Sequence, residues 1–438
     1  MGSLVRTSAF TFIGKLAISA LSLLNSVLLA RLNSNLDFGH YQSSASYSSV
    51  PTTYMGGYAG YYSYALAKSS SDYIRIMQMG NLFVYGVSLV FLGITVSLRT
   101  VLFSHLNPVW WWACLAIPFA IAYNYGTKLL QGFGQVSRLN YANILQPLLL
   151  TILATVVVLN RHFFTANQRL YLTYTIWIAS VIGGALFTVV AVYKVSRDRR
   201  ALKWRFHATE WRGTVRYGTW LSLSNTVNAV NYRTDFWFVS GLFPLLASQY
   251  AIAVTASEVL LQVSGSLATV VFKSMTHASR EDSIRITETV TRHTLISSVV
   301  VAIPMLVAVP WVISTFYGAR YAGAIVPFLI LLPGLVFKSA GNIVIQFATN
   351  QLGSPKHSIW MNGVSAFINA ALCIAFVPHF GIVGAAGAST ASYVISFAIY
   401  TFWFSRYNHI SPNGLFLVQK RDLFQYTKTM RRLASKLQ

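Results

Sequence analysis

Five ionisable side chains lie inside long apolar stretches of this chain: Lys15, Arg233, Asp235, Glu258 and Lys338. A charge at the centre of a bilayer costs roughly 2.5–3.5 kcal/mol even on the lenient insertion scale, so such residues usually face a bundle interior or a wet cavity. Three of the five are cations, the residue type that a phosphate or diphosphate group seeks. The two carboxylates, Asp235 and Glu258, are of the type that binds a coupling proton or cation. Each residue also has a purely structural alternative. Lys15 lies about two turns into its stretch, within snorkelling reach of an interface. Arg233 and Asp235 sit toward one end of theirs and, two residues apart, do not share a helix face. Glu258 and Lys338 lie nearer mid-depth, where an interhelical ion pair is the alternative.

A second constellation is aromatic. Tyr54, Tyr58 and Tyr61 are spaced i, i+4, i+7 and so share one helix face, which Tyr47 extends. Tyr62, Tyr64, Ser46, Ser48, Ser49, Thr52 and Thr53 stand beside them. A tyrosine ring offers a flat apolar face and a hydroxyl, a surface suited to sugar rings. Interhelical packing is the alternative, helped by Gly56 and Gly60, a G-x-x-x-G pair that lets helices approach closely.

The elements that must hold these residues follow from composition. Of 438 residues, 55% are hydrophobic and only 10% are charged. Soluble domains carry about 25% charged residues, so this chain cannot coat a soluble surface. Its apolar residues fall in runs of about 20, the length that crosses a bilayer core. Lipid offers no partner to backbone polar groups, so those runs must be helices. The patterning predicts an all-α membrane protein with twelve spans, at about 9–30, 44–67, 79–97, 108–130, 141–159, 170–193, 215–239, 246–271, 294–316, 323–348, 357–378 and 382–405. The second is the least hydropathic, because Ser and Tyr crowd it. The first is long and holds Lys15, and reads as a retained span rather than a cleaved signal.

The formal net charge of +23 is explained by topology. With both termini cytoplasmic, 25 of the 33 basic residues fall on that side. They include Arg6, Lys68, Arg75, Lys128, Arg138, the connections 194–216 and 272–293 (with Lys273), Lys356, Arg406 and the tail from Lys420. Only Arg31, Arg99, Arg161, Arg169 and Arg320 fall opposite, as the positive-inside rule requires. Trp110, Trp111 and Trp112 open the fourth span, and Trp204, Trp211, Trp360 and Trp403 sit near inner ends, the positions of interfacial anchors. The basic excess does not point to nucleic acid, since no soluble basic domain carries it. Cys114 and Cys373 both lie within spans, so no disulfide framework is implied. No P-loop, H-E-x-x-H motif or Cys/His cluster occurs. No enzyme activity, metal or cofactor is therefore expected.

The long basic connection divides the chain into a 1–205 lobe and a 206–438 lobe, each with six spans around a central cavity. An even span count makes the lobes parallel repeats, an arrangement of transporters that rock two halves about one site. Weak similarity recurs between them: residues 27–41 and 236–250 each end a span, cross a short loop and close on Tyr, and the turn at Gly134 and Arg138 parallels that at Gly353 and Lys356. Pro51, Pro118, Pro304, Pro327 and Pro333 punctuate spans and permit kinks.

Three stretches carry a family resemblance. The first is Phe12-Ile13-Gly14-Lys15 leading to Leu28-Leu29-Ala30-Arg31 and Phe38-Gly39-His40-Tyr41. The second is Asp235 followed by Ser248-Gln249-Tyr250. The third runs from Phe316-Tyr317-Gly318 through Gly353, Asn362 and Asn369 to Val377-Pro378-His379-Phe380-Gly381-Ile382-Val383-Gly384-Ala385-Ala386. On these the chain resembles the bacterial polysaccharide transporter family, the O-antigen-type flippases of the multidrug/oligosaccharidyl-lipid/polysaccharide exporter superfamily. The Tyr/Ser-rich second span and Pro244 depart from the pattern. The resemblance implies a multi-pass protein of the bacterial inner membrane that flips an undecaprenyl-diphosphate-linked oligosaccharide to the outer leaflet. Its partners would be that substrate, membrane lipids, a polysaccharide polymerase and glycosyltransferases. Lys15, Arg233 and Lys338 would hold the diphosphate, the Tyr47–Tyr61 stripe the sugars, and Asp235 or Glu258 a coupling ion. The rival readings are a cation-coupled small-molecule exporter of the same superfamily, a membrane-embedded polysaccharide polymerase, and a scaffold using the basic connection and tail. A polymerase should carry a long outer loop with paired catalytic residues, and the sequence has none.

Overall fold

The computed structural model describes residues 2–68, 72–97, 108–196, 198–262, 264–265, 279–348 and 355–416. Arg99, Arg197, Lys273, Gly353 and the tail from Lys420 lie outside the described residues, as does the end of the eighth predicted span.

Among the described residues, every predicted span falls on a helix. The first six are α1 (Gly2–Leu32), α2 (Asn35–Lys68), α3 (Tyr73–Ser97), α4 (Pro108–Gly132), α5 (Val136–Leu159) and α6 (Ala166–Ser196). Then come α7 (Thr219–Leu242), α8 (Ala247–Glu258), α9 (Arg280–Tyr317) and α10 (Ala319–Gln346). The last helical run, Pro355–Asn408, is broken at Gly381 into α11 (355–380) and α12 (382–408). Gly381 takes φ 55° and ψ −134°, a conformation open to glycine, three residues after Pro378.

The exterior is apolar. Val307 is 76% exposed and Phe367 75%, with Leu89, Val90, Ile303 and Phe402 also facing outward. Hydroxyls such as Ser44, Thr173, Thr188, Ser222 and Thr294 are buried instead. That inversion is what a lipid solvent demands, and the chain is an all-α membrane protein. Among the described residues, six helical stretches are long and apolar enough to cross a bilayer on their own. Helices α2, α4 and α7 are not among them, and each turns a polar face inward.

Helix α4 packs on α2, α3 and α6, and α5 on α1 and α6. In the second half of the chain the α11–α12 run packs on α7 and α10, and α10 on α8 and α9. Helix α2 joins the two sets, lying along α7 and, nearer its start, α8. The closest approach is at Gly57, where a Cβ would strike the Ser222 backbone, while Gly60 meets the Leu221 side chain. Gly57 thus takes the part expected of the Gly56/Gly60 pair.

One end of the bundle, here the basic end, carries Lys68, Arg75 and the connection between α6 and α7. That connection is docked. Gln78 donates to the Arg200 carbonyl (2.8 Å) and its amide oxygen meets the His207 ring (2.7 Å). Asn81 donates to the Ala201 carbonyl (3.0 Å), and Tyr62 pairs with Thr214 (2.9 Å). Burial, with Arg205 and Arg75 nearby, pushes the His207 ring below the ordinary histidine pKa, which keeps it neutral and able to donate one N–H to Gln78. Both anchoring points are π-helical, Asn81–Tyr85 and Thr214–Gly218, the wide turns often found where a helix must adjust.

The far end is fastened by an exchange of arginines. Arg31, in the last turn of α1, donates to the Phe316 (2.6 Å) and Thr315 (3.4 Å) carbonyls at the end of α9. Arg320 donates to the Ala30 carbonyl and to that of Asn33 (3.1 Å), and Tyr321 adds a bond to Ala30 (3.2 Å). Arg31 thus serves the carbonyl end of α9, and Arg320, at the start of α10, serves that of α1, where the helix dipole favours a cation.

Candidate functional site

The polar faces of the helices enclose adjoining hollows that meet along one face of α2. The first, about 600 Å³, lies among α1, α2, α4, α5 and α6. Helix α2 presents Ser48, Ser49, Thr52 and Thr53 to it; α4 presents Asn124, Thr127, Lys128 and Gln131; α5 presents Asn140, Asn143 and Gln146. Lys15, Tyr123 and Trp177 complete the polar and aromatic wall, and its lining holds no carboxylate. The second hollow, about 400 Å³, lies between α2, α7 and α8, and shares Ser49 and Thr53 with the first. Asn225, Asn228, Tyr232, Arg233 and Glu258 line it. It continues into a space of about 380 Å³ bounded by Asn342, Gln346, Ser358 and Asn362. The result is a chamber of hydroxyls and amides with cations on its walls, and the hydroxyl face of α2 is common to its two largest hollows.

The α2 ladder arises from spacing. Ser48, Ser49, Thr52 and Thr53 recur at i, i+1, i+4, i+5 and so face one side. Tyr54, Tyr58 and Tyr61 occupy the opposite face, and neither they nor Tyr47 line these hollows. Tyr58 pairs with Thr219 (3.1 Å) and Tyr61 with Glu210 (3.3 Å), both on the chain entering α7. Tyr54 pairs with Tyr58 (3.3 Å), and Tyr47 stacks on Trp237 with centroids 5.1 Å apart. Tyr58 and Tyr61 thus belong to the seam between α2 and the chain entering α7, whereas Tyr47 and Tyr54 are 39% and 38% exposed. The hydroxyl ladder was readable from the same window but was overshadowed by the rings.

The five charges separate. Lys15 and Arg233 reach the chamber, from α1 and α7 respectively. Lys128, counted by sequence among topological charges, joins them there, where it donates to Gln131 (3.2 Å). Glu258 is paired with Arg233 at 3.7 Å rather than with Lys338. Asp235 is buried away from the chamber, where it accepts from Tyr250 (2.6 Å), Ser389 (2.7 Å) and the Phe236 N–H (2.7 Å). Ser389 and Asn369 extend that cluster. Among the described residues no group of three His, Cys, Asp or Glu could hold a metal ion.

Lys338 is 2% exposed and its ammonium finds no hydrogen-bond partner among the described residues. It lies over the rings of Tyr232 (4.6 Å) and Tyr393 (5.0 Å), so Tyr232 stands between it and the chamber. Two aromatic faces return only part of the cost of desolvating an ammonium. Lys338→Met, which keeps the volume and suits two rings, is expected to raise the melting temperature in detergent by about 2 °C. A lower melting temperature would show that the ammonium contributes net stability.

No protein-family model and no curated protein sequence matches the chain. Solved structures do. The lipid II flippase MurJ in an inward closed conformation superposes with a TM-score of 0.70, over 94% of this chain and 89% of that one, at 13% identity. A multidrug resistance MATE family transporter of the MOP superfamily, inward-facing, gives 0.69 over 91% and 99% at 14% identity. An outward-facing structure of a transporter described in the same words gives 0.59 over 95% and 96% at 13% identity. This chain has the fold of the MOP superfamily transporters.

Proposed function

From that fold, we propose that the protein is a transporter that moves a polyprenyl-diphosphate-linked oligosaccharide, undecaprenyl-linked in a bacterium, from the inner to the outer leaflet for surface polysaccharide assembly. The observation that carries this reading is the chamber lining: Lys15, Lys128 and Arg233 set among amides and hydroxyls. A diphosphate takes charge-assisted bonds from cations. Sugar hydroxyls exchange hydrogen bonds with amides and hydroxyls and stack on rings such as Trp177 and Tyr123. The polyprenyl tail stays in lipid.

The 1–205 and 206–438 segments act as two lobes that rock about the chamber, the head entering at the basic, cytoplasmic end while the arginine exchange keeps the far end closed. Coupling to a proton or sodium ion falls to Asp235. Glycosyltransferases act before this step and a polysaccharide polymerase after it, on the same lipid-linked intermediate.

A second reading, a cation-coupled exporter of small molecules, draws on the 600 Å³ hollow, which is of drug-binding size. The test is flipping of a fluorescent lipid-linked oligosaccharide in proteoliposomes holding the purified chain. Transfer between leaflets is the expected result. No transfer, together with uptake of an organic cation under an ion gradient, would replace the flippase by the exporter.

A further inference from the structure

The Arg233–Glu258 pair bridges α7 and α8 at the chamber wall, 3.7 Å apart, with 35% and 28% of the two side chains exposed. Asp235, the nearby carboxylate of α7, is committed to Tyr250, Ser389 and the Phe236 N–H. Glu258 is therefore the carboxylate that answers Arg233. At 3.7 Å and partly wet, the pair falls short of a bidentate fork, whose bonds run at about 2.7–2.9 Å. Loose, part-exposed pairs add little to stability, so bracing α7 to α8 is a poor account of it. Its position suggests another. A carrier must bind its cargo on one side and give it up on the other, and a bare guanidinium facing a diphosphate favours binding over release.

Taking the proposed function as its premise, we infer that Glu258 is a built-in competitor for the cargo's phosphate. It neutralises Arg233 in the empty chamber, gives way when the anionic head arrives, and reclaims the guanidinium to drive the head out. Glu258 is thus a positioning residue that acts through Arg233. The cost of parting the pair is charged against binding, so affinity is held below what Arg233 alone would give. Release is faster by the same token.

The two roles predict opposite signs. If Glu258 merely braced the helices, its loss would weaken binding and transport together. As a competitor, Glu258→Gln should bind the head more tightly and release it more slowly. The measurement uses the full chain in nanodiscs with farnesyl diphosphate as the probe, and proteoliposomes for flipping at saturating substrate. Glu258→Gln is expected to lower the farnesyl diphosphate Kd about fivefold, the scale of one part-exposed ion pair, while the saturated flipping rate falls. Glu258→Asp, which keeps the charge, should stay close to wild type in both. In an Arg233→Gln background, Glu258→Gln should no longer tighten binding, since the two residues form one unit.

Equal or weaker binding by Glu258→Gln overturns the inference, and so does tightening that persists without Arg233. Should Glu258→Gln not fold, Glu258→Ala and Arg233→Gln/Glu258→Ala carry the same comparison, and a shift in Kd of equal size with and without Arg233 overturns it. Wild-type protein that fails to bind farnesyl diphosphate at all removes the proposed function, and this inference with it. Binding by wild type without the Glu258 effect removes the inference alone.

Discussion

Flipping is expected to fall at least about 100-fold when Lys15→Gln and Arg233→Gln are combined, with the protein still inserted and monodisperse. A hydrogen bond from a cation to a charged oxygen is worth about 1.5–3 kcal/mol, so losing two removes enough to take transport near background. Both side chains border the chamber, Lys15 from α1 and Arg233 from α7. Each single variant should show a smaller loss. The check is the flipping rate in proteoliposomes, paired with size-exclusion and melting profiles to exclude misfolding. A double variant that flips at the wild-type rate would take the diphosphate out of this chamber.

The second large effect belongs to the far end. Arg31→Ala with Arg320→Ala removes four hydrogen bonds to backbone carbonyls, leaving only the Tyr321 bond to Ala30 among those described above. Counting these exposed and part-buried bonds at the low end, about 0.7 kcal/mol each, the loss approaches 3 kcal/mol. The open population should then rise about 100-fold. Ser248 is a convenient reporter, being fully buried and packed beneath Gly39 at this end. With Cys114 and Cys373 replaced, a Ser248→Cys reporter should react with a membrane-impermeant maleimide about 100-fold faster in the double variant. Equal reactivity would mean that the arginines decorate the closure rather than hold it. Carbonyl acceptors do not titrate, so this fastening should hold across a wide pH range, unlike one built from carboxylates.

Much of the fold was legible because the solvent is so demanding. Lipid forces each apolar run into a helix, and even α2, the span weakest in hydropathy, forms one continuous helix from Asn35 to Lys68. What sequence could not assign was partnership. Glu258 and Lys338 lie at comparable depth, but α8 turns Glu258 toward Arg233, and Lys338 sits between Tyr232 and Tyr393. Depth along a span is a one-dimensional quantity, whereas pairing depends on how each helix is rotated about its axis. For the tyrosine stripe, sequence left packing and cavity lining both open for a related reason. A polar, aromatic face suits a sugar and a helix seam alike, and the choice was made by α7 lying against it. Lys128 was missed because a positive charge near a span end satisfies the topology rule without needing a further role. The signals that could have found the site were the hydroxyl ladder of α2 and the amides at 124, 131, 140, 143 and 146.

The two-faced α2 has a consequence for how proteins of this shape diversify. Under the proposed function, substitutions at Ser48, Ser49, Thr52 or Thr53 would alter cargo preference while Tyr58 and Tyr61, which mate with the chain entering α7, stay untouched. A single-residue deletion near Pro51 has no such freedom. It would rotate everything beyond it by about 100°, presenting rings to the cargo and hydroxyls to the joint. Related chains should therefore differ freely in letter but not in length across this helix.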